Sequence, residues 1–139
     1  MHVTLVALLG LALTVAQTQE PLIFKNGLRQ SVMHGDKSDR RDVAVTLTGE
    51  AMVVTPKSGT PITIAFSTMS GIVYDRRPVV RKMAYTAGKA TDHFLTVQYK
   101  FPNGTGDFAE LEMEKDVAPK LVAALEARSG KKIERTGGS

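Results

Sequence analysis

The stretch that decides the fold is Asp107-Phe-Ala-Glu-Leu-Glu-Met-Glu-Lys-Asp-Val-Ala-Pro-Lys-Leu-Val-Ala-Ala-Leu-Glu-Ala-Arg-Ser-Gly130. In its first part, apolar and mostly acidic residues alternate, which places Ala109, Leu111 and Met113 on one face. A period of two residues is typical of a strand with one face on a core. The pattern therefore predicts a half-buried strand over residues 108–113.

The second part of the stretch has the period of a helix. Its apolar residues recur at every fourth position, at Val117, Leu121 and Leu125. This spacing forms a stripe that can face a sheet, and we predict a helix over residues 117–129. Asp116 is the expected N-cap, Pro119 fits the first turn, and Gly130 fits the left-handed position after the last turn.

Upstream of this stretch, several short segments read as strands. Val43, Val45 and Leu47 alternate with smaller or polar residues, and further strands are predicted at 51–55, 62–66, 71–75 and 93–101. Turn-forming residues such as Gly49-Glu50 separate these segments. The pattern predicts six or seven antiparallel strands followed by one helix.

A single sheet of this size would leave one apolar face bare unless it curls. We therefore predict a mainly β (α+β) fold, in which a partly open barrel or a pair of orthogonal sheets is closed by the C-terminal helix. Over residues 43–133 the order of elements resembles the pleckstrin-homology-like (PH-like) superfold. The segments that carry the resemblance are the turn Pro56-Lys-Ser-Gly-Thr60, the run from Ile62-Thr-Ile-Ala-Phe66 to Ile72-Val-Tyr74, and residues 111–125.

The resemblance implies a small exported protein of this fold whose function is not known. It does not imply phosphoinositide binding. Lipid-binding members carry basic residues in the first hairpin turn, whereas this sequence has Thr48-Gly49-Glu50 there.

The N-terminal sixteen residues contain no Asp, Glu, Lys or Arg. This apolar run is too short to cross a bilayer core about 30 Å thick, and it is typical of a signal peptide. Thr14 and Ala16 supply the small residues expected before a cut at Gln17. We predict export to the periplasm or the medium. The predicted organisation is a signal peptide (1–16), a lead-in and charged loop (17–42), one PH-like domain (43–133) and a flexible tail (134–139).

Composition excludes several classes of function. The sequence has no cysteine, so disulfides are excluded, and a bacterial periplasmic protein fits better than a disulfide-rich extracellular one. The net charge of +4 is below what nucleic-acid binding would require. We find no paired nucleophile and base, and we predict no catalytic residues, cofactor or metal.

The most distinctive surface feature is a basic segment between two predicted strands. Its cations are Arg76, Arg77, Arg81, Lys82 and Lys89, with Tyr74 and Tyr85 nearby. Arginines beside aromatic rings can hold phosphate, sulfate or carboxylate groups. The acidic row Glu110, Glu112 and Glu114 could neutralise this charge across the sheet. We predict a non-enzymatic binding or scaffold module that recognises a protein, an anionic lipid head group or an envelope polymer.

Two alternatives stay open. The first is a small secreted metal-dependent hydrolase built on His34 and its neighbours Asp36, Asp39 and Asp42, which combine an imidazole with hard oxygen ligands. The second is a structural subunit of an envelope complex, which predicts self-association and no small ligand.

Overall fold

The computed structural model describes residues 19–79 and 90–137, which form nine strands and one α-helix. The strands are β1 (Leu22–Phe24), β2 (Leu28–His34), β3 (Lys37–Leu47), β4 (Ala51–Pro56), β5 (Ile62–Ala65), β6 (Met69–Val79), β7 (Ala90–Lys100), β8 (Gly106–Met113) and β9 (Glu134–Gly137). The helix α1 is Ala118–Ser129, and a 3₁₀ turn, Phe66–Thr68, joins β5 to β6. A mainly β fold with one C-terminal helix is thus confirmed.

The strands form one sheet in the order β5-β4-β3-β2-β8-β7-β6-β9, with β1 beside β3. The long strand β3 pairs with different strands along its length: its first half pairs with β2, and its second half pairs with β1 and β4. The β6–β9 pair is parallel, and the other pairs are antiparallel. The prediction of six or seven antiparallel strands in a partly open barrel or a pair of orthogonal sheets is therefore corrected. The described residues form nine strands in one mixed sheet that is not closed into a barrel, and one pair of its strands is parallel.

The core lies between the curved sheet and α1. The predicted inward faces are confirmed, since Val45, Leu95 and Leu111 are fully buried and meet Leu121 and Leu125 of the helix in one cluster. No helix in the described part of the chain is long and apolar enough to cross a bilayer. The predicted signal peptide (1–16) lies outside the described residues.

The helix agrees with its sequence prediction at the C-terminal end and differs from it at the N-terminal end. Pro119 lies in the first turn and Gly130 adopts the left-handed conformation with φ of 69°, as predicted. Asp116 is not the N-cap. Val117 holds that position with helical dihedrals and no side-chain bond, and the amides of Val117 and Ala118 instead donate to the carbonyl of Glu114. A backbone turn thus satisfies the donors that a side chain was expected to meet.

The predicted lead-in and charged loop (17–42) is a second departure. It contains β1, β2 and the first half of β3, and a tight turn at Gly35 and Asp36 joins β2 to β3. The prediction failed because residues 37–42 are nearly all polar and carry no apolar alternation. Backbone pairing with β2 makes them a strand.

The predicted flexible tail (134–139) also contains ordered structure, because residues 134–137 form β9. The Glu126 carboxylate accepts hydrogen bonds from the Ile133 amide at 2.9 Å and from the Arg135 guanidinium at 3.3 Å. The Thr136 hydroxyl donates to Asp75 of β6 at 2.9 Å. These polar contacts hold β9 in place, and a search for apolar periodicity in the sequence does not detect them.

We expect β9 to detach at acid pH. Hydrogen bonds from the Ile133 amide and then Arg135 lower the pKa of Glu126, and bonds from Arg77 and then Thr136 lower the pKa of Asp75. A carboxyl whose folded pKa is depressed stabilises the fold above its unfolded pKa, about 4 for these groups, and this contribution disappears as the pH falls through the lower folded pKa. Amide protection factors in β9 should therefore drop below about pH 4 while those in β7 persist. Equal protection of β9 at pH 6 and pH 3 would contradict this, and Glu126→Gln should remove part of the pH dependence.

Gly27 sets the bend between β1 and β2. Its φ is 78°, its carbonyl accepts the Glu114 amide at 2.9 Å, and a Cβ there would lie 2.8 Å from Cγ2 of Val117. We expect Gly27→Ala to lower the free energy of unfolding by about 1 to 3 kcal/mol, because it adds a left-handed penalty and a contact that is too short. Urea denaturation followed by circular dichroism measures the change. The control is Gly104→Ala, at φ of 89° with open space around it, which should cost less.

Candidate functional site

Strands β2 and β8 pair over only part of their length, which leaves an opening in the sheet between them. Beside it lies a groove of about 600 Å³ between the β2–β3 hairpin and strands β6, β7 and β8. The hairpin contributes Gln30, Arg40 and Arg41, and the opposite wall contains Phe94 and Phe108. We call this space the groove.

Among the described side chains, Arg41 has the one buried nitrogen that lacks a hydrogen-bond partner. Its Nη2 donates to Oε1 of Gln30 at 3.1 Å, while its Nε is buried and has no hydrogen-bond partner. Gln30 is itself only 6% exposed. None of the ion pairs among the described side chains involves Arg41. A buried donor without an acceptor is costly, so a small shift of the Arg41 side chain that brings its Nε–H to an anion in the groove would remove this cost.

Arg40 lies beside Arg41 in sequence but is neutralised. Its Nη1 bonds Oε1 of Glu112 at 2.6 Å, and the other oxygen of Glu112 lies 3.7 Å from Nη1 of Arg29. Asp42 also lies 3.9 Å from Arg29 and 3.7 Å from Lys57. The outward face of β2, β3 and β8 is therefore a ladder of alternating charges.

Arg77 forms part of the far wall and is also neutralised. Its Nε donates to Asp75 at 2.6 Å, its Nη2 lies 3.7 Å from Glu110, and its Cζ lies 4.1 Å from the centroid of the Phe94 ring. The hydrogen bond to Asp75 raises the pKa of Arg77. Phe94 is only 6% exposed although it lies outside the main core cluster. Arg77 thus covers an aromatic ring, and Glu110 neutralises it as the sequence suggested.

The predicted basic segment is not assembled as one cluster in the described residues. β6 extends to Val79, so Arg76 and Arg77 lie within a strand rather than in a connection. Successive strand residues point to opposite faces. Arg76 accordingly lies on the face of Tyr74, away from the groove that Arg77 lines. The remaining predicted binding residues, Arg81, Lys82 and Lys89, lie outside the described residues.

His93 and Tyr74 form a pair on that other face. The Tyr74 hydroxyl and Nδ1 of His93 are 2.7 Å apart, and their rings stack. Burial raises the pKa of Tyr74. This contact holds His93 as a partly buried residue of β7.

A metal centre at His34 finds no support from its neighbours. The hairpin separates Asp39 and Asp42, which lie opposite Val32 and Arg29 in the strand register. Among the described side chains, no three His, Asp or Glu residues approach closely enough to hold a metal ion. The side chain of His34 is not among those described, so the hydrolase alternative stays a prediction.

A second, shallower basic depression lies beyond the end of α1. It is lined by Lys131, Lys132 and Arg135 together with Glu126. Glu126 already pairs with Arg135 at 3.3 Å. The groove at Arg41 is the better candidate, since among the described side chains only Arg41 has a buried nitrogen without a hydrogen-bond partner.

The sequence matches no family model and no curated protein. Among solved structures, it is similar to the hSac2 domain from human phosphoinositide phosphatase Sac2, with a TM-score of 0.59, 13% identity, and coverage of 98% of this chain and 90% of that one. A C-terminal domain of an unknown protein from Leishmania infantum gives a TM-score of 0.41 at 7% identity, over 78% of this chain and 84% of that one. The likeness to hSac2 concerns the fold.

Proposed function

We propose that the protein is an exported, non-enzymatic binding module of PH-like architecture whose groove receives an anionic group at Arg41. The observation that carries this proposal is the buried Nε of Arg41, which lacks a hydrogen-bond acceptor and belongs to a guanidinium with no carboxylate partner among the described side chains. A planar guanidinium holds carboxylate or phosphate through two parallel N–H donors, so either anion suits it. The hSac2 likeness supports the architecture, and the predicted leader at 1–16 supports export.

The rest of the groove supports binding rather than catalysis. The two other arginines beside it, Arg40 and Arg77, are paired with Glu112 and with Asp75 and Glu110. These ion pairs fix the walls, and among the described residues Arg41 is the arginine of the groove that has no ion pair and keeps an unpaired Nε–H. The proposed site is therefore the groove, in which Arg77 forms part of one wall, and not the predicted segment that runs from Arg76 to Lys89.

Arg41→Gln is expected to weaken anion binding about tenfold or more, since a hydrogen-bonded charge contributes about 1.5 to 3 kcal/mol. The measurement is a titration of the full chain with glutarate and with inorganic phosphate, followed by the Nε–H resonances of arginine in ¹H–¹⁵N spectra. The two arms separate a carboxylate site from a phosphate site. Binding should weaken with added salt.

Two control variants sharpen this titration. Arg41→Lys keeps the charge but removes Nε–H, and it should bind more weakly than the wild type and more tightly than Arg41→Gln. Arg76→Gln removes a cation from the other face and should leave binding unchanged. Equal losses in Arg41→Gln and Arg76→Gln, or no saturable shift at Arg41 with either anion, would contradict the proposal.

A further inference from the structure

The hydrogen-bond ladder between β2 and β8 stops early. Residues Leu28–Gln30 pair with Leu111–Met113. Beyond them β2 continues to His34 and β8 reaches back to Gly106, and these portions do not pair with each other. Two strand edges therefore face each other across the groove without closing on one another.

The register shows which backbone groups face this gap. The Phe101 amide donates to the Thr105 carbonyl at 2.8 Å and closes the β7–β8 hairpin. Because pairing alternates along antiparallel strands, Asp107 and Ala109 exchange their bonds with β7, while Phe108 and Glu110 direct their amides and carbonyls toward the gap. On the other side, the tight β2–β3 turn directs the backbone groups of Ser31 to the same gap.

One donor on this edge is held by a side chain that can move. The Phe108 amide donates to the carboxylate of Asp107 at 2.8 Å, and the other oxygen of Asp107 lies 3.4 Å from the Tyr99 hydroxyl. Exposed edges in natural sheets are often protected by local charges of this kind. A peptide carbonyl could replace this carboxylate without disturbing the β7–β8 ladder.

The side chains around the gap specify the chemistry of an occupant. Phe108 is 62% exposed and, with Ile62, gives the groove an apolar lining. Arg41 supplies the unsatisfied cation. In an extended peptide whose apolar and acidic side chains alternate, the apolar side chains would face the apolar lining and the acidic side chains would face Arg41.

We propose that the groove binds an extended acidic peptide by strand addition along the free edge of β8, with a carboxylate of the peptide at Arg41. This inference rests on the proposed anion site and names its occupant. The backbone of the peptide pairs with Phe108 and Glu110, and its carbonyl takes the place of the Asp107 carboxylate.

The test uses the full chain and the capped peptide Ac-Val-Glu-Val-Glu-Val-NH₂. Two further versions carry N-methyl groups on one or the other alternate set of amides, which blocks ladder hydrogen bonds but keeps every charge. We expect at least one methylated version to bind about tenfold or more weakly, and the amides of Phe108 and Glu110 to gain protection from exchange with the unmodified peptide. The changes are made in the peptide, so the fold of the protein is not at risk.

Each outcome decides a different point. If neither methylation changes the affinity, or the peptide Ac-Val-Gln-Val-Gln-Val-NH₂ binds equally well, strand addition by an acidic peptide is overturned. The proposed function still stands in that case if glutarate or phosphate shifts Arg41. If neither small anion shifts Arg41 and no peptide binds, both proposals fall. Tighter binding to vesicles containing phosphatidylinositol 4-phosphate than to the peptide would also overturn the peptide as occupant.

Discussion

Leu125→Ala is expected to lower the free energy of unfolding by about 2 to 5 kcal/mol. Leu125 is fully buried and packs with Leu121 and Val122 in the cluster that joins α1 to the sheet. Truncation removes the burial of its methyl groups and leaves a cavity that neighbouring strands, held by their ladders, fill only in part. Urea denaturation monitored by far-ultraviolet circular dichroism measures the loss, and an unchanged slope would show that the variant changes stability and not the surface exposed on unfolding.

The matched control lies on the opposite side of the same helix. Lys120 is exposed, and Lys120→Ala keeps helix propensity high, so it should change the free energy of unfolding by no more than about 0.5 kcal/mol. A loss below about 1 kcal/mol for Leu125→Ala would mean that the helix does not cover the core.

Ile133→Ala is expected to have a similar effect, about 2 to 5 kcal/mol. Ile133 follows the helix, is 1% exposed, and belongs to the same core cluster as Leu125. Its amide also donates to Glu126, so its side chain is held at a fixed position. Truncation should both open a cavity and loosen β9. The same urea titration, together with the amide protection of Arg135 and Thr136, reports the two effects.

Two substitutions bracket this prediction. Ile133→Val removes one methylene and should cost about 0.5 to 1.5 kcal/mol. Lys132→Ala, at the exposed neighbour, should be close to neutral. If Ile133→Ala is as mild as Lys132→Ala, the segment after the helix contributes nothing to the core.

The parts of the fold that the sequence predicts well are those where apolar periodicity is strong. The alternation at Val43, Val45 and Leu47 and the four-residue spacing of Leu121 and Leu125 each place side chains on one face, and the structure buries them. Periodicity works here because burial of these faces is what stabilises the elements.

Two of the missed segments have no such signal. The first half of β3 and all of β9 are polar, and they are strands because a neighbouring edge offers hydrogen bonds to their backbone. The partner of β9 is β6, far away in the sequence, and its contacts run through Asp75 and Glu126. A local pattern carries no information about such a partner.

The candidate site was only partly predictable for the same reason. Arg77 was predicted as a binding residue together with the other cations of the basic segment, but its ion pair with Asp75 and its contact with Phe94 depend on strand pairing. Arg41 was missed because it lies in a segment interpreted as a charged loop. The alternation of Leu28, Gln30 and Val32 was the available signal, since it points to a strand and hence to a fixed partner for Arg41.

The parallel pairing of β9 with β6 has a consequence for the order of folding. It joins Val73 to Glu134, so it closes a long loop that contains β7, β8 and α1. Contacts of such high sequence separation are entropically costly to form early. Since the Ile133 amide donates to Glu126 of α1 just before β9 begins, we expect the helix to dock before β9 pairs. We therefore expect the C-terminal strand to complete the sheet after the rate-limiting step, so that substitutions in β9 change the unfolding rate more than the folding rate.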